Sequence, residues 1–464
     1  LQEKQAIRHE NTAMSYSGWG RYPTVDSLLV EPSTPDDFAR LISPAPDLPG
    51  KAIPRGAGRS YGDSALAENL LSTRYLDNFC GINTSEQGVT VLRCASGLSL
   101  DEVLQTIVPK GFFLPVVPGT KAVTVGGAIA SDIHGKNHHR EGSFCDHVDS
   151  LQLLLASGEV ITCSRSSNAD LFLATCGGMG LTGLILDASL RLITLPSLDI
   201  AQRSLVAANL KDSMELMTAH DDAHYSVAWI DCLARHSAQG RSILFLGEHA
   251  SADSARPRSR LSSPSAKPPQ RRTLSVPFNA PAALLNRYSM GAFNATYFAL
   301  KKALPAESKV DYDAYFFPLE RLRNWNRLYG SKGFLQYQLV IPCESAYAGI
   351  SAVLERVAAA GKGSFLSVLK RFGKGNANLL SFPTEGYTLA LDFKYEPSLF
   401  PLLDELDAIV LDHGGRLYLA KDARMSAEFF RKTYPNWERF LEIKAKVDPD
   451  GRFSSLQSRR LGLG

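Results

Sequence analysis

Between residues 116 and 143 the chain carries Gly119, Gly126, Gly127, Gly135 and Gly142. A stretch so poor in side-chain bulk builds no core of its own. Its shape has to come from backbone turns and from whatever it wraps. Within it, Thr124-Val125-Gly126-Gly127 sets two adjacent glycines where a flat or extended ligand can lie against main chain, and Ile133-His134-Gly135-Lys136-Asn137 follows with donors. A second cluster runs from Pro54 through Arg55, Gly56, Ala57, Gly58, Arg59, Ser60, Tyr61, Gly62 and Asp63 to Ser64. Small residues after a short predicted strand leave N–H groups free to converge on an anion. Arg55, Arg59 and Ser60 add donors that suit phosphate. A third cluster, Gly178-Met179-Gly180-Leu181-Thr182-Gly183, matches G-x-G-x-x-G letter for letter. Its context is reversed: a dinucleotide fingerprint needs a strand before and a helix after. It reads as a helix-to-strand connection, not a Rossmann site.

At 464 residues the chain fits two or three domains. A net charge of +3 points to no nucleic-acid partner. Seven scattered cysteines without a C-x-x-C argue against a disulfide framework or structural zinc. No basic-then-apolar segment opens the sequence and no run of 18 apolar residues occurs, so the expectation is cytoplasmic, at most peripheral to the inner membrane face. The first 30 residues show no clear period. Thr34-Pro35-Asp36-Asp37 opens a predicted helix, and Ser99-x-x-Glu102 is a capping box for another. Val148–Leu155 and Val160–Cys163 read as a hairpin. From Gly333 to Ala420 strands and helices follow in the order β-α-β-β-α-β, which predicts an antiparallel sheet with helices on one face and a last strand Arg416–Ala420. Residues 251–277 are rich in Ser, Pro and Arg, with six basic residues and no acid from Arg256 to Arg272, and read as a mobile loop.

These loops resemble the FAD-binding domain of the vanillyl-alcohol oxidase (PCMH-type) superfamily and, more narrowly, the decaprenylphosphoryl-β-D-ribose 2′-oxidase family. The matching stretches are Arg55–Asp63, Pro118–Asn137 with His138 and His139, Gly177–Gly183, Gly333–Gln338, Phe365–Phe372, Leu417–Lys421 and Val447–Leu463. The resemblance implies an α+β protein: a two-lobed FAD-binding domain over 1–196, a substrate domain over 197–414, and a segment 415–464 returning to the first domain. It implies that Pro54 to Ser64, Gly119, Thr124 to Gly127, His134 to Asn137, Ile185 and Tyr418 line FAD. In relatives with covalent flavin a histidine follows the second glycine of the first loop. Arg59 stands there, so the expectation is non-covalent FAD. Lys136, Trp229, Gln336, Gln338, Lys370, Phe372 and Lys421 match substrate-side positions. Three positions depart from the family: Phe316 replaces a tyrosine, Thr388 an asparagine, and Ala390 the cysteine that covalent inhibitors attack.

By residue type alone, Lys421 is a solvated lysine and Lys370 a solvated strand residue. The resemblance makes Lys421 the group that orients or deprotonates a sugar hydroxyl, with Tyr418 and His134 close by. Gln336 and Gln338 share one strand face, which suits a polyol or phosphate and equally suits cross-strand bonding. His134 and His138 could suggest a metal pair, but no Cys or carboxylate cluster joins them. Three functions are weighed. The first is oxidation of the 2′-hydroxyl of a polyprenylphosphoryl-β-D-ribose, with a separate NAD(P)H-dependent keto-reductase completing an epimerisation. The second is an FAD-linked oxidase of free sugar alcohols or aldonolactones, and the third a non-catalytic flavin-binding protein. Ile133, bulky before the His-Gly pair, implies slow reaction with oxygen.

Overall fold

The computed structural model describes residues 8–9, 13–42, 48, 50–251, 254, 273–281 and 283–464. Two sheets come first. In one, Thr24–Glu31 and Ala52–Arg55 flank Asn69–Ser72 in parallel, with Arg8–His9 and Met14–Ser17 pairing antiparallel to Thr24–Glu31. The crossover runs through the helix Pro35–Ile42, whose first turn holds Asp36 and Asp37 and whose Phe38, Leu41 and Ile42 are buried. The two strands before that helix, Met14–Ser17 and Thr24–Glu31, fall where the sequence shows no period. Their burial is irregular along the chain, so no alternation marks them. The second sheet is antiparallel, in the order Val160–Ser164, Val148–Leu154, Leu184–Thr194, Thr90–Ala95 and Phe79–Thr84. The predicted hairpin and the Ser99/Glu102 capping box are both present.

The remaining sheet has eight strands, numbered here in chain order: Asp199–Ala207 (β1), Tyr225–Ile230 (β2), Ser242–His249 (β3), Glu307–Asp311 (β4), Phe334–Pro342 (β5), Ser367–Phe372 (β6), Gly386–Lys394 (β7) and Arg416–Leu417 (β8). Its helices are Leu210–Ala219 (α1), Arg287–Ala303 (α2), Cys343–Ala360 (α3) and Leu399–Asp412 (α4). The strand order is β4-β1-β3-β2-β6-β7-β5-β8. The second half is the predicted β-α-β-β-α-β unit. The first half repeats the same order, β1-α1-β2-β3-α2-β4, and the two units join edge to edge between β2 and β6 through Ala228↔Leu369 and Trp229↔Val368. Sequence reading found one unit only, because the long insertion between β3 and α2 hides the period of the other.

Two further differences bear on the site. Helices α1, α3 and α4 cover one face: Ser213 of α1 bonds Ser242, Tyr337 bonds Asp407 of α4, and Gly349 of α3 abuts Ile341. Helix α2 lies on the opposite face, where Tyr297 packs on Trp229 and Lys301 sits over Phe245. The helices are therefore not all on one face. The last strand ends at Leu417, and Tyr418 to Lys421 form a turn beyond it rather than its continuation. Most of the expected loop over 251–277 lies outside the described residues; its described end, Leu274–Ser275, pairs in parallel with Leu322–Arg323. Among the described residues no helix is long and apolar enough to cross a membrane.

Candidate active site

The two glycine loops meet at one cavity. Strand Ala52–Arg55 delivers the first loop, and the N–H groups of Gly56 to Ser60 donate to no acceptor among the described residues. Gly58 takes a left-handed φ of 62°, which a glycine adopts without strain. The Arg55 guanidinium turns beneath the loop and donates to Ala65 O at 2.9 Å and Ser17 O at 2.7 Å, so it shapes the loop rather than facing the cavity. Asp63 also faces inward, bonded to Arg460 at 2.8 Å, and Arg460 reaches Asp422 at 2.8 Å as well. That triad, with Tyr61 N donating to Ala420 O at 3.0 Å, fixes the C-terminal turn against the first loop. Gly62 abuts the Asp422 carbonyl so closely that any Cβ would overlap it.

The second loop winds into a six-residue helix, Val125–Ala130, where the sequence suggested only turns. Thr124 caps it by accepting from Gly127 N at 3.2 Å, and Gly126 N donates to Ser96 O at 2.8 Å. Val125 is fully buried beneath it. Gly180, Gly183 and Ile185 close the far wall. The third glycine cluster is thus the helix-to-strand connection that was expected, between Ala169–Thr175 and Leu184–Thr194, and it also lines the cradle, which the sequence reading did not foresee.

The cavity holds about 550 Å³, within the usual range for small-molecule sites. Pro54, Gly56, Ala57, Gly58, Arg59, Ser60, Tyr61, Ser64, Gly119, Thr124, Gly126, Gly127, His134, Ile185 and Tyr418 line it from the loops, and Gln336, Gln338, Lys370, Thr388, Ala390 and Lys421 from the other side. Alternation explains the second group. Gln336 and Gln338 on β5, Thr388 and Ala390 on β7 and Lys370 on β6 are even-numbered partners in register, so all point away from α3 and α4. The same rule delivers Asp392, opposite Gln336, which the sequence reading passed over. Asp392 is 1% exposed and accepts from Gln336 Nε2 at 2.6 Å.

Six of the expected residues lie off the cavity wall besides Arg55, Gly62, Asp63 and Val125. Gly135 packs on Val117, and Asn137 donates to Pro115 O at 2.8 Å. Lys136 is drawn to the Tyr315 and Phe316 carbonyls, with its ammonium 4.6 Å from the Tyr315 ring centre. Trp229 donates to Phe365 O at 3.1 Å. Phe316 packs among Phe113, Tyr225 and His249. Phe372 stands between His134 and His138, with ring centres at 4.8 and 4.5 Å. Among the described residues no three His, Cys, Asp or Glu are placed to hold a metal.

The electrostatics are those of a dry, cation-rich pocket. Burial pulls Lys370 down to about 8. Burial, then Lys370, pulls Lys136 down to about 7. Lys421, its ammonium 3.8 Å from the Tyr61 ring centre, is lowered by burial and by Lys370 and held up by Asp392. Asp392 is raised by burial, against Gln336 and Lys421. Burial, then Lys370, His138 and Lys421, keeps His134 well below its ordinary value, so the ring is neutral. Gln338 Nε2 lies 3.0 Å from His134 Nε2. An amide nitrogen only donates, so in this orientation Nε2 accepts and the proton sits on Nδ1. Nδ1 is buried without a partner, as are Arg59 Nε, Thr73 Oγ1 and Ser96 Oγ, all in residues on the cavity wall. Tyr418 donates to Ser131 O at 2.8 Å and stacks on Phe382.

Residues 27–164 match the FAD binding domain family and residues 391–461 the D-arabinono-1,4-lactone oxidase family. The decaprenylphosphoryl-beta-D-ribose oxidase of Mycolicibacterium smegmatis is 37% identical over 458 residues, covering 97% of this chain and 98% of that protein. The chain belongs to the decaprenylphosphoryl-ribose oxidase family. It is similar to the L-gulonolactone oxidase of Bos taurus, 23% identical over 96% of this chain and 97% of that one, and to a cytokinin dehydrogenase of Oryza sativa, 28% identical over 42% and 38%.

As a member of this family the chain is an FAD-dependent oxidoreductase that acts on a CH–OH group, with a two-lobed FAD-binding part and a cap of antiparallel sheet. The residues present fit FAD. Free amides in the first loop suit the pyrophosphate, the glycine faces leave room for a flat ring, and the partnerless donors on the wall need acceptors. FAD is held non-covalently. The Arg59 guanidinium lies over the Trp19 ring, 4.2 Å from its centre.

Proposed function

We propose that the enzyme oxidises the 2′-hydroxyl of a polyprenylphosphoryl-β-D-ribose to the ketone. The observation that carries this is a lysine on the cavity face of the cap with no carboxylate bonded to it. Among the described residues the one hydrogen bond of half-buried Lys370 is a 3.5 Å contact with Gly135 O, while Asp392 bears on Lys421. Leaving such a cation without a partner is costly, and an anionic phosphodiester on the substrate relieves that cost where a free sugar alcohol does not. The near full-length likeness to the decaprenylphosphoryl-ribose oxidase supports the same reading.

Bound FAD supplies the two-electron acceptor for the hydride that leaves the carbinol carbon. The chain's own residues handle the proton and the pose. Lys421, as the neutral amine, takes the hydroxyl proton. Gln336, Gln338 and Thr388 bond the other sugar oxygens, and Lys370 faces the phosphate. The His134 Nδ1 proton donates toward the ligand that fills the cradle. Ala390 widens the pocket relative to the family's cysteine, and Thr388 puts a hydroxyl of similar volume in place of the family's amide, without removing any of these groups. The ketone needs a hydride donor to return as the epimer, which calls for a separate NAD(P)H-dependent reductase.

The experiment is anaerobic bleaching of the flavin. A prenylphosphoryl ribose should bleach it at low concentration, while xylitol and gulonolactone should not. Bleaching by the lactone alone would favour the second reading, which the match of residues 391–461 to a lactone-oxidase family keeps specific.

A further inference from the structure

The outer face of the cap carries a surface that the reaction does not use. Seven of the thirteen exposed large apolar side chains of the described residues lie between Leu274 and Leu304. Helix α2 is apolar on both sides. Its inner side packs through buried Met290 and through Tyr297 on Trp229, and Asn294 Nδ2 donates to Asp231 Oδ1 at 2.9 Å. Its outer row, Tyr288-Ala292-Thr296-Leu300, then Leu304, faces outward, Tyr288 at 76% and Leu300 at 62% exposure. Leu274 and Phe278, exposed 72% and 69%, are the large apolar side chains exposed on the described segment before the helix.

Two observations say what covers it. The first is charge: the described residues from Thr273 to Ala306 carry Arg287, Lys301 and Lys302 and no acidic residue. An apolar surface with basic residues and no acid suits an anionic lipid headgroup layer. The second is position. Leu274 and Ser275 pair with Leu322 and Arg323, and Leu322, Arg323 and Asn324 line the cavity rim. Whatever binds Leu274 therefore touches the mouth of the site. We infer that helix α2 and the segment Leu274–Phe278 form an interfacial docking face that seats the cavity mouth on an anionic bilayer. The inference deepens the function proposed above and rests on it for its purpose, since a prenyl-linked sugar stays in the bilayer while its ribose enters the cavity.

The test reads binding without any sugar. The FAD-loaded protein is floated with vesicles of phosphatidylcholine and phosphatidylglycerol in equal parts, and with phosphatidylcholine alone. The wild type should float with the anionic vesicles. The double variant Leu300→Glu with Leu304→Glu should lose roughly tenfold or more in partitioning. A matched control, Val89→Glu with Val160→Glu, places the same charges on exposed valines of the FAD-binding lobe and should float as the wild type does. Both variants should keep their flavin colour and bleach normally with a water-soluble short-prenyl substrate, which tests the substrate reading separately. The inference is overturned if the wild type fails to float, if the control loses binding as the helix variant does, or if the helix variant floats unchanged. It is overturned too if the helix variant only converts a dimer to a monomer, for the face would then belong to a second copy of the chain.

Discussion

Asp392→Asn is the sharpest probe of the acid–base assignment. The substitution keeps shape and leaves an amide oxygen to accept from Gln336 Nε2, now at 2.6 Å from the carboxylate. It removes a charge. Among the influences on Lys421, burial and Lys370 lower its pKa and Asp392 alone raises it. The two groups form no direct ion pair, so the coupling acts over a gap. With an effective dielectric near 20, two unit charges beyond ion-pair reach, at roughly 6–10 Å, interact by roughly 1.5–3 kcal/mol, which corresponds to roughly 1–2 pH units. The sign follows. If neutral Lys421 is the base, kcat/KM rises with pH as it loses its proton, and taking away Asp392 makes that loss easier. The acid limb of kcat/KM should move to lower pH by about one unit. The assay is anaerobic flavin reduction by substrate across a pH series, with Lys421→Met as the reference in which the limb disappears. A limb that stays in place, or moves to higher pH, refutes the assignment of Lys421 as the titrating base.

Three further outcomes follow from the geometry. Arg460→Ala strands the Asp63 and Asp422 carboxylates, which are 4% and 6% exposed, and should lower stability by about 3–5 kcal/mol in thermal or denaturant unfolding. Burial pushes both carboxylates up and Arg460 opposes it in both, so the difference from wild type should be full at neutral pH and shrink on acidification as the stranded carboxylates take up protons above the ordinary aspartate range. Gly126→Val should give folded but colourless protein, because its Cβ would meet Ser96 Cβ at 2.9 Å on the cradle wall; absorbance against protein concentration measures this. Ile133→Ala should speed reoxidation of the reduced enzyme by air, since Ile133 lines the cavity beside His134, and stopped-flow reoxidation rates report it.

The cradle was legible in the sequence because glycine reports backbone geometry directly: Gly56, Gly58, Gly126 and Gly127 all reach the cavity. The polar cap face was legible through period two, which aligned Gln336 with Gln338. Asp392 follows the same period and was missed because a single acid in a strand carries no motif. Arg55, Lys136 and Phe316 show the limit of residue type. Each is near the site in sequence, yet hydrogen bonds to Ala65, Tyr315 carbonyl contacts and aromatic packing turn each away from the cavity. Tyr418 was placed on a strand, with Lys421 at its end, because Arg416–Ala420 has strand composition. The chain turns after Leu417 because Tyr61 N and the Asp63–Arg460–Asp422 triad capture the following residues. The doubled β-α-β-β-α-β plan escaped sequence reading for a related reason: the insertion before α2 breaks the rhythm that marks the second copy.

The most direct measurement is electron density for FAD in a crystal of the yellow protein. The account predicts the pyrophosphate at the Gly56–Ser60 amides and the isoalloxazine between Gly126–Gly127 and the face bearing Gln336, Gln338 and Lys421. A ring found outside that cleft, or bonded covalently to the chain, would contradict it.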